Sequence, residues 1–176
     1  MAALAGVACE NPVGPEPLEP ADPRSALVGG GISGTGAIGL GAPIPGADWQ
    51  DFAFVVSADA VGTLHFSDYS VVRNGIPGRI IADPTADPPT GVTSYQRVSD
   101  ACVRFGGTGR IDTGQLWQFW VDVCDYATPG AGFDTFTITL PDRAGPGVPY
   151  VQSGTLRTGD IAMTGVEVPL PGLSSP

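Results

Sequence analysis

Two cysteines bound the stretch of the chain that is richest in side chains capable of chemistry. Cys102 and Cys124 enclose the run CVRFGGTGRIDTGQLWQFWVDVC, which holds two of the three tryptophans. A cysteine pair can form a disulfide, bind a metal or act as a redox dithiol. Zinc needs four ligands, and a redox pair is normally a CxxC motif at a helix N-terminus, whereas the chain adds only one histidine, His65. We therefore expect a structural disulfide between Cys102 and Cys124, with a reduced pair as the main alternative.

The centre of the same run predicts a β-hairpin with a defined register. Asp112-Thr113-Gly114 has the composition of a three-residue hairpin loop, a type I turn closed by a left-handed glycine. A hairpin centred on Thr113 gives one face of compatible cross-strand pairs: Cys102 with Cys124, Arg104 with Asp122, and Gly106 with Trp120. The other face is then apolar, formed by Val103, Phe105, Ile111, Trp117, Phe119, Val121 and Val123. A slip of one residue would exchange the two faces, so the hydrophobic pattern specifies the register.

Three aromatic side chains are candidates for a ligand platform: Trp120, Trp49 and Tyr126. An outward-facing Trp120 can stack on a sugar ring, and it can also cover the bare backbone of Gly106. We favour the covering role for Trp120. Glycan binding through exposed aromatics is the main rival function.

Acidic side chains supply the remaining candidate chemistry. Asp125 and Asp134 flank the loop after the hairpin, where two carboxylates could converge on calcium. The spacing is not that of an EF-hand, and aspartates often cap turns, so we favour a turn-capping role for both residues. Calcium is the one cofactor that the sequence leaves open, and no other cofactor is expected. His65 alternates with Leu64 and Phe66 and is expected to face solvent, and no GxSxG elbow occurs. An acidic-residue hydrolase is the least favoured function.

The elements that must position these residues are strands. The chain contains 26 Gly and 18 Pro, which disfavour helices. Short alternating segments recur about every ten to fifteen residues with turn residues between them, from the glycine-rich run at 26–40 to DIAMTGVEV. This pattern predicts an all-β, single-domain antiparallel β-sandwich or flattened barrel of about 8–10 strands over residues 26–168. The Pro-rich run from Asp83 to Gly91 is expected to be a surface loop.

The two ends of the chain differ in composition from this domain. Residues 1–9, MAALAGVAC, resemble the remnant of a lipoprotein signal in which Cys9 would be lipidated. Residues 10–25 form a Pro/Glu-rich tether, and 169–176 are a loose tail. The alternative is an ordinary N-terminus with a stray thiol. The net charge of −10, with no lysine, disfavours nucleic-acid binding.

The order of motifs resembles the post-COAP-type domain that trails bacterial choice-of-anchor surface proteins. The positions that carry the resemblance are Phe52 and Phe54; Gly62, Leu64, Phe66 and Asp68; Gly107 and Gly109; Phe119, Val121, Val123 and Asp125; Asp134, Phe136 and Ile138; and Gly154, Leu156, Gly159 and Ile161. The resemblance covers roughly Val28 to Met163. The Pro-rich run and the two cysteines depart from the family pattern. The resemblance implies an extracellular or surface-attached module without an established activity.

These features together predict a function outside the cytoplasm. We expect a non-catalytic structural or interaction module, secreted or held at the cell surface through Cys9, with cell-envelope or matrix components as partners. Glycan binding is the first alternative. Self-association into a surface fibre through exposed edge strands is the second alternative.

Overall fold

The computed structural model describes residues 25–73 and 76–169. Within these ranges the chain forms ten strands: β1 Ser25–Gly39, β2 Trp49–Ser57, β3 Gly62–Arg73, β4 Ile76–Ala82, β5 Gly91–Arg97, β6 Cys102–Ile111, β7 Leu116–Cys124, β8 Thr135–Gly145, β9 Val148–Thr155 and β10 Thr158–Pro169. Cys9, the tether up to residue 24 and the tail beyond residue 169 lie outside the described residues. The described part of the chain contains no helix with the length and hydrophobicity that a membrane-spanning helix needs.

The strands form one curled sheet in which the pairings are antiparallel. The order is β10-β1-β2-β3-β4-β6-β7-β8-β9, and β5 also pairs with β6. Most neighbours in the sheet are neighbours in sequence, as expected when short turns connect antiparallel strands. The all-β antiparallel prediction is confirmed.

The sequence pattern did not predict one of the strands, β5. β5, Gly91–Arg97, pairs with the first part of β6, and β4 pairs with its end through Ile80 and Ile81. The two strands therefore lie along the same edge of β6, and the Pro-rich loop 83–90 leaves the sheet between them. A register shift between Val92 and Ser94 interrupts the alternation of buried and exposed residues, so β5 lacks the period-two pattern of the other strands.

The core lies on the concave side of the curled sheet and is rich in phenylalanine. The rings of Phe52 and Phe136 stack with centroids 4.0 Å apart, and those of Phe54 and Phe105 are 5.2 Å apart. These contacts join β2 to β8 and to β6, so the two halves of the sheet pack against each other through aromatic side chains. On β1, Gly34 makes room for this packing, because a Cβ atom there would lie 2.8 Å from Cζ of Phe54.

The β6–β7 hairpin presents the predicted apolar face to this core. Ile111 N donates a hydrogen bond to Gln115 O at 3.0 Å, and Gly114 adopts the left-handed conformation with φ 84°. Six of the seven residues predicted for the inner face are buried, and Trp117 packs against the core while partly exposed. The turn type and the inward face are both confirmed.

Candidate functional site

The outward face of the hairpin carries the cross-strand pairs that its sequence predicts. Cys102 lies opposite Cys124, Arg104 opposite Asp122, and Gly106 opposite Trp120. The two cysteines form a disulfide, with their Cα atoms 4.1 Å apart. The disulfide and the register are therefore confirmed.

Arg104 and Asp122 form an ion pair next to the disulfide. Arg104 Nε donates to Asp122 Oδ1 at 2.7 Å, and Nη2 donates to Oδ2 at 3.1 Å. The hydrogen bonds and the charge of Asp122 raise the pKa of Arg104. Because both side chains are exposed, the pair contributes little stability, but it leaves this part of the face without net charge.

Trp120 lies against the backbone of the neighbouring strand. A Cβ atom at Gly106 would be 2.3 Å from Cε3 and 2.6 Å from Cζ3 of the indole, so the six-membered ring covers the glycine Cα. The side chain nevertheless remains 42% exposed. The covering role is compatible with ligand binding, since the indole contacts Gly106 and also presents surface to solvent.

The surroundings of Trp120 are rich in hydroxyl groups. Its cross-strand neighbour on β8 is Thr139, and the next outward pair is Thr137 with Ser153, whose hydroxyl oxygens are 2.6 Å apart. We call this set the β6–β9 outer face: Arg104, Gly106, Trp120, Asp122, Thr137, Thr139, Val151 and Ser153. Its only charged members are Arg104 and Asp122, in a chain whose net charge is −10.

Trp49 belongs to a different surface. It begins β2, and its indole Nε1 donates to Asp51 Oδ1 at 2.5 Å. Tyr69 on β3 also hydrogen-bonds to Asp51; partial burial and then this hydrogen bond raise the pKa of Tyr69. Trp49 and Trp120 therefore lie in different parts of the sheet, and the fold does not join them into one platform.

Tyr126 lies on the same side of the molecule as the disulfide. Its hydroxyl is 3.5 Å from Cys102 Sγ, and the side chain is 49% exposed. Tyr126 lies six positions after Trp120, which corresponds to roughly 20 Å of extended chain. The disulfide and the Arg104–Asp122 pair lie between the two aromatics along the strand.

The two calcium candidates hold the loop between β7 and β8. Asp134 is fully buried; its Oδ1 accepts from the backbone N–H groups of Tyr126 at 2.8 Å and Ala127 at 3.2 Å, and Oδ2 accepts from Ile161 N at 3.0 Å. Asp125 Oδ2 accepts from Met163 N at 3.0 Å. These bonds tie the loop to β10, as expected for carboxylates that cap turns.

A third carboxylate approaches the same loop. Asp160 Oδ1 accepts from Gly130 N at 2.6 Å. Burial raises the pKa of Asp125, with further contributions from the negative charges of Asp134 and Asp160, and the Met163 N–H opposes them. Among the described residues no group of three or more His, Cys, Asp or Glu side chains is arranged to hold a metal ion. The calcium site stays a prediction.

A second buried carboxylate, Asp68, lies at the opposite end of β6 and β8. It is 2% exposed, and its oxygens accept hydrogen bonds from five groups: Gln50 Nε2 at 3.1 Å, Ser70 N at 2.9 Å, Ser70 Oγ at 2.7 Å, Gln152 Nε2 at 3.4 Å and the hydroxyl of Tyr150. The network joins β2 and β3 to β9. In the sequence this carboxylate is marked by the inward parity that it shares with Leu64 and Phe66 on β3, a pattern from which no site was predicted.

Asp68 also lines a pocket of about 250 Å³, together with Asp112. The hydrolase hypothesis requires two carboxylates in one cleft, and these two share one. The Asp68 carboxylate, however, already accepts hydrogen bonds from four residues. His65 is exposed on the outer side of β3, as predicted, and takes no part in the pocket.

Comparison with family models, with curated proteins and with solved structures found no match to this chain.

Proposed function

We propose that the chain is a non-catalytic interaction module that works outside the cytoplasm, at the cell surface or in the surrounding matrix. The observation that carries the proposal is the Cys102–Cys124 disulfide, formed between adjacent strands on an exposed face. Disulfides persist in oxidising compartments and are rare in the cytosol. The resemblance to surface-protein domains supports the same location.

Attachment through a lipid on Cys9 is part of this proposal, and the residue lies outside the described ranges. The test is the intact mass of the native protein purified from its host, measured before and after reduction. We expect Cys102 and Cys124 to be joined and Cys9 to carry acyl chains. A protein recovered with free thiols at 102 and 124 would contradict the extracytoplasmic location. A Cys9 without acyl chains would contradict only the lipid attachment and not the extracytoplasmic location.

Glycan binding is the second candidate function, favoured by the geometry of the β6–β9 outer face. The six-membered ring of Trp120 covers Gly106 and leaves part of its surface exposed, next to hydroxyl groups and a neutralised ion pair. Flat aromatic rings bind the apolar faces of sugar rings, and neighbouring hydroxyls can hydrogen-bond to sugar hydroxyls. An uncharged polysaccharide fits this face better than an anionic one, because the chain as a whole is strongly acidic.

The glycan proposal can be tested with insoluble cellulose, chitin and peptidoglycan in sedimentation assays. Trp120→Ala should weaken binding by about tenfold, whereas Trp120→Phe should retain most of it. Trp49→Ala is the matched control, since it removes an indole from the other surface. Loss of binding in Trp49→Ala but not in Trp120→Ala would place the platform elsewhere, and absence of binding to all three polymers would count against this function.

A further inference from the structure

The pocket beside Asp68 has the composition of a small-molecule site. It lies where β3, β4 and β6 face β8 and β9, and its walls are mainly apolar: Phe66, Val71, Ile80, Ile111 and Leu140. Its volume of about 250 Å³ is close to the lower end of the roughly 300–1,000 Å³ that ligand pockets span. A ligand of this pocket is therefore small, with an apolar body.

The polar groups of the pocket are mostly hydrogen-bond acceptors. Asp68 and Asp112 contribute carboxylates, while Arg79 is the single cationic residue of the lining. Tyr150 donates its hydroxyl proton to Asp68 Oδ2, so this proton is already committed within the protein. Because Asp68 already accepts hydrogen bonds from four residues, the acceptor that remains for a ligand is Asp112, and the lining carries two carboxylates for one guanidinium.

The charge of the whole molecule acts in the same direction. The chain carries a net charge of −10, which attracts cations and repels anions at the mouth of the pocket. An ammonium group supplies three donors and a positive charge, whereas a ligand carboxylate would be repelled by Asp68 and Asp112 and would have Arg79 as its one cationic partner in the lining.

The geometry points to a binding site for a small organic cation, a primary amine on a short apolar body. The ammonium group lies beside Asp112, and the apolar body packs against Phe66, Ile80 and Leu140. This site is separate from the β6–β9 outer face and does not depend on glycan binding.

Three probes with the same aromatic body and different head groups test the inference: 2-phenylethylamine, 2-phenylethanol and phenylacetate. Each is titrated into the full chain, and the methyl signals of Ile80, Ile111 and Leu140 are followed by NMR. We expect saturable shifts with the amine, binding about tenfold weaker for the alcohol, and the weakest binding for the acid. Equal or tighter binding of the acid, or no saturable binding of the amine, would overturn the site.

Two variants with matched controls locate the bound amine without disturbing the buried Asp68 network. Asp112→Asn removes the exposed carboxylate and should weaken amine binding about fivefold, while Asp59→Asn, at an exposed turn position, should not. Val71→Trp should fill the pocket mouth and abolish binding, while Val55→Trp, at a position exposed on β2, should leave it intact. Amine shifts that persist unchanged in Val71→Trp would show that the amine binds elsewhere and overturn the inference. Trp120→Ala should not alter amine binding, because Trp120 does not line the pocket. The amine site can therefore fail or succeed independently of the glycan proposal.

Discussion

Two carboxylates are buried in the part of the chain that the structure describes, Asp134 and Asp68, and they accept hydrogen bonds from different kinds of partner. Asp134 accepts hydrogen bonds from three backbone N–H groups, those of Tyr126, Ala127 and Ile161. Asp68 accepts mainly from side chains, those of Gln50, Ser70, Tyr150 and Gln152. A carboxylate that accepts hydrogen bonds from backbone N–H groups fixes the path of the chain, because these groups cannot rotate toward water when the carboxylate is removed.

The surroundings of Asp134 and Asp68 also differ, because one end is cross-linked and the other borders a pocket. The Asp134 end is braced a second time, by the disulfide at the end of β7. The Asp68 end borders a pocket, and several of its donor side chains are partly exposed. We therefore assign a structural role to the Asp134 end and expect the adaptable, ligand-binding part of the core at the Asp68 end.

Removal of Asp134 should be the most damaging single change. Asp134→Ala leaves three backbone donors without an acceptor, two of them in the loop and one on β10, and should lower the free energy of unfolding by about 4 kcal/mol. Urea unfolding followed by tryptophan fluorescence measures the change. Asp112→Ala, at an exposed turn position, is the control. A loss below about 1 kcal/mol would show that the loop finds other acceptors.

Loss of the disulfide should come next. The bond spans 22 residues of chain, so the Cys102→Ser/Cys124→Ser double variant should be less stable by about 3 kcal/mol, mainly because its unfolded state is less restricted. Equilibrium unfolding under the same conditions gives the difference. The adjacent Arg104→Ala/Asp122→Ala variant should lose much less stability than the disulfide variant, since that ion pair is exposed. Similar losses in the two variants would contradict the bracing role of the disulfide.

Asp68→Ala should cost less than Asp134→Ala, about 2 kcal/mol. The side chains of Ser70, Tyr150 and Gln152 can turn toward water, the one backbone donor belongs to the exposed Ser70, and only Gln50 stays buried. Thermal unfolding of the two alanine variants side by side measures this ordering. Tyr150→Phe should cost less in the Asp68→Ala background than in the wild type, which would show that the two side chains are coupled. An equal or larger loss for Asp68→Ala would remove the distinction between the two carboxylates.

The sequence predicts the register of the hairpin better than it predicts the hydrogen-bond partners of Asp134 or Asp68. The reason is the separation in sequence between the residues that come into contact. Turn chemistry and period-two alternation lie within the hairpin itself, so its register follows from neighbouring residues. Asp134 reaches Ile161, 27 residues away, and Asp68 reaches Tyr150, 82 residues away. The inward parity of Asp68 is visible in the sequence, but the partners that satisfy it are brought close only by the curl of the sheet.

The smallest predicted effect on stability comes from Asp125, near Asp134 and Asp160 at the loop between β7 and β8. Whether removal of its charge stabilises or destabilises the fold distinguishes charge repulsion from hydrogen bonding. The pKa of Asp125 is raised by burial and by Asp134 and Asp160. The folded state therefore binds the proton more tightly than the unfolded state, so this group stabilises the fold at low pH and the contribution is lost as pH rises from about 4 through the raised pKa.

Asp125→Asn removes the ionised form and keeps an amide oxygen that can accept from Met163 N. At neutral pH the variant should be more stable than the wild type by less than about 1 kcal/mol, because partial exposure screens the repulsion. Below pH 4 or so the two proteins should converge. Urea midpoints across this pH range provide the measurement. A variant that is less stable than the wild type at neutral pH, but not below about pH 4, would mean that the ionised Asp125 is a favourable acceptor for Met163 N and that repulsion is not the dominant effect.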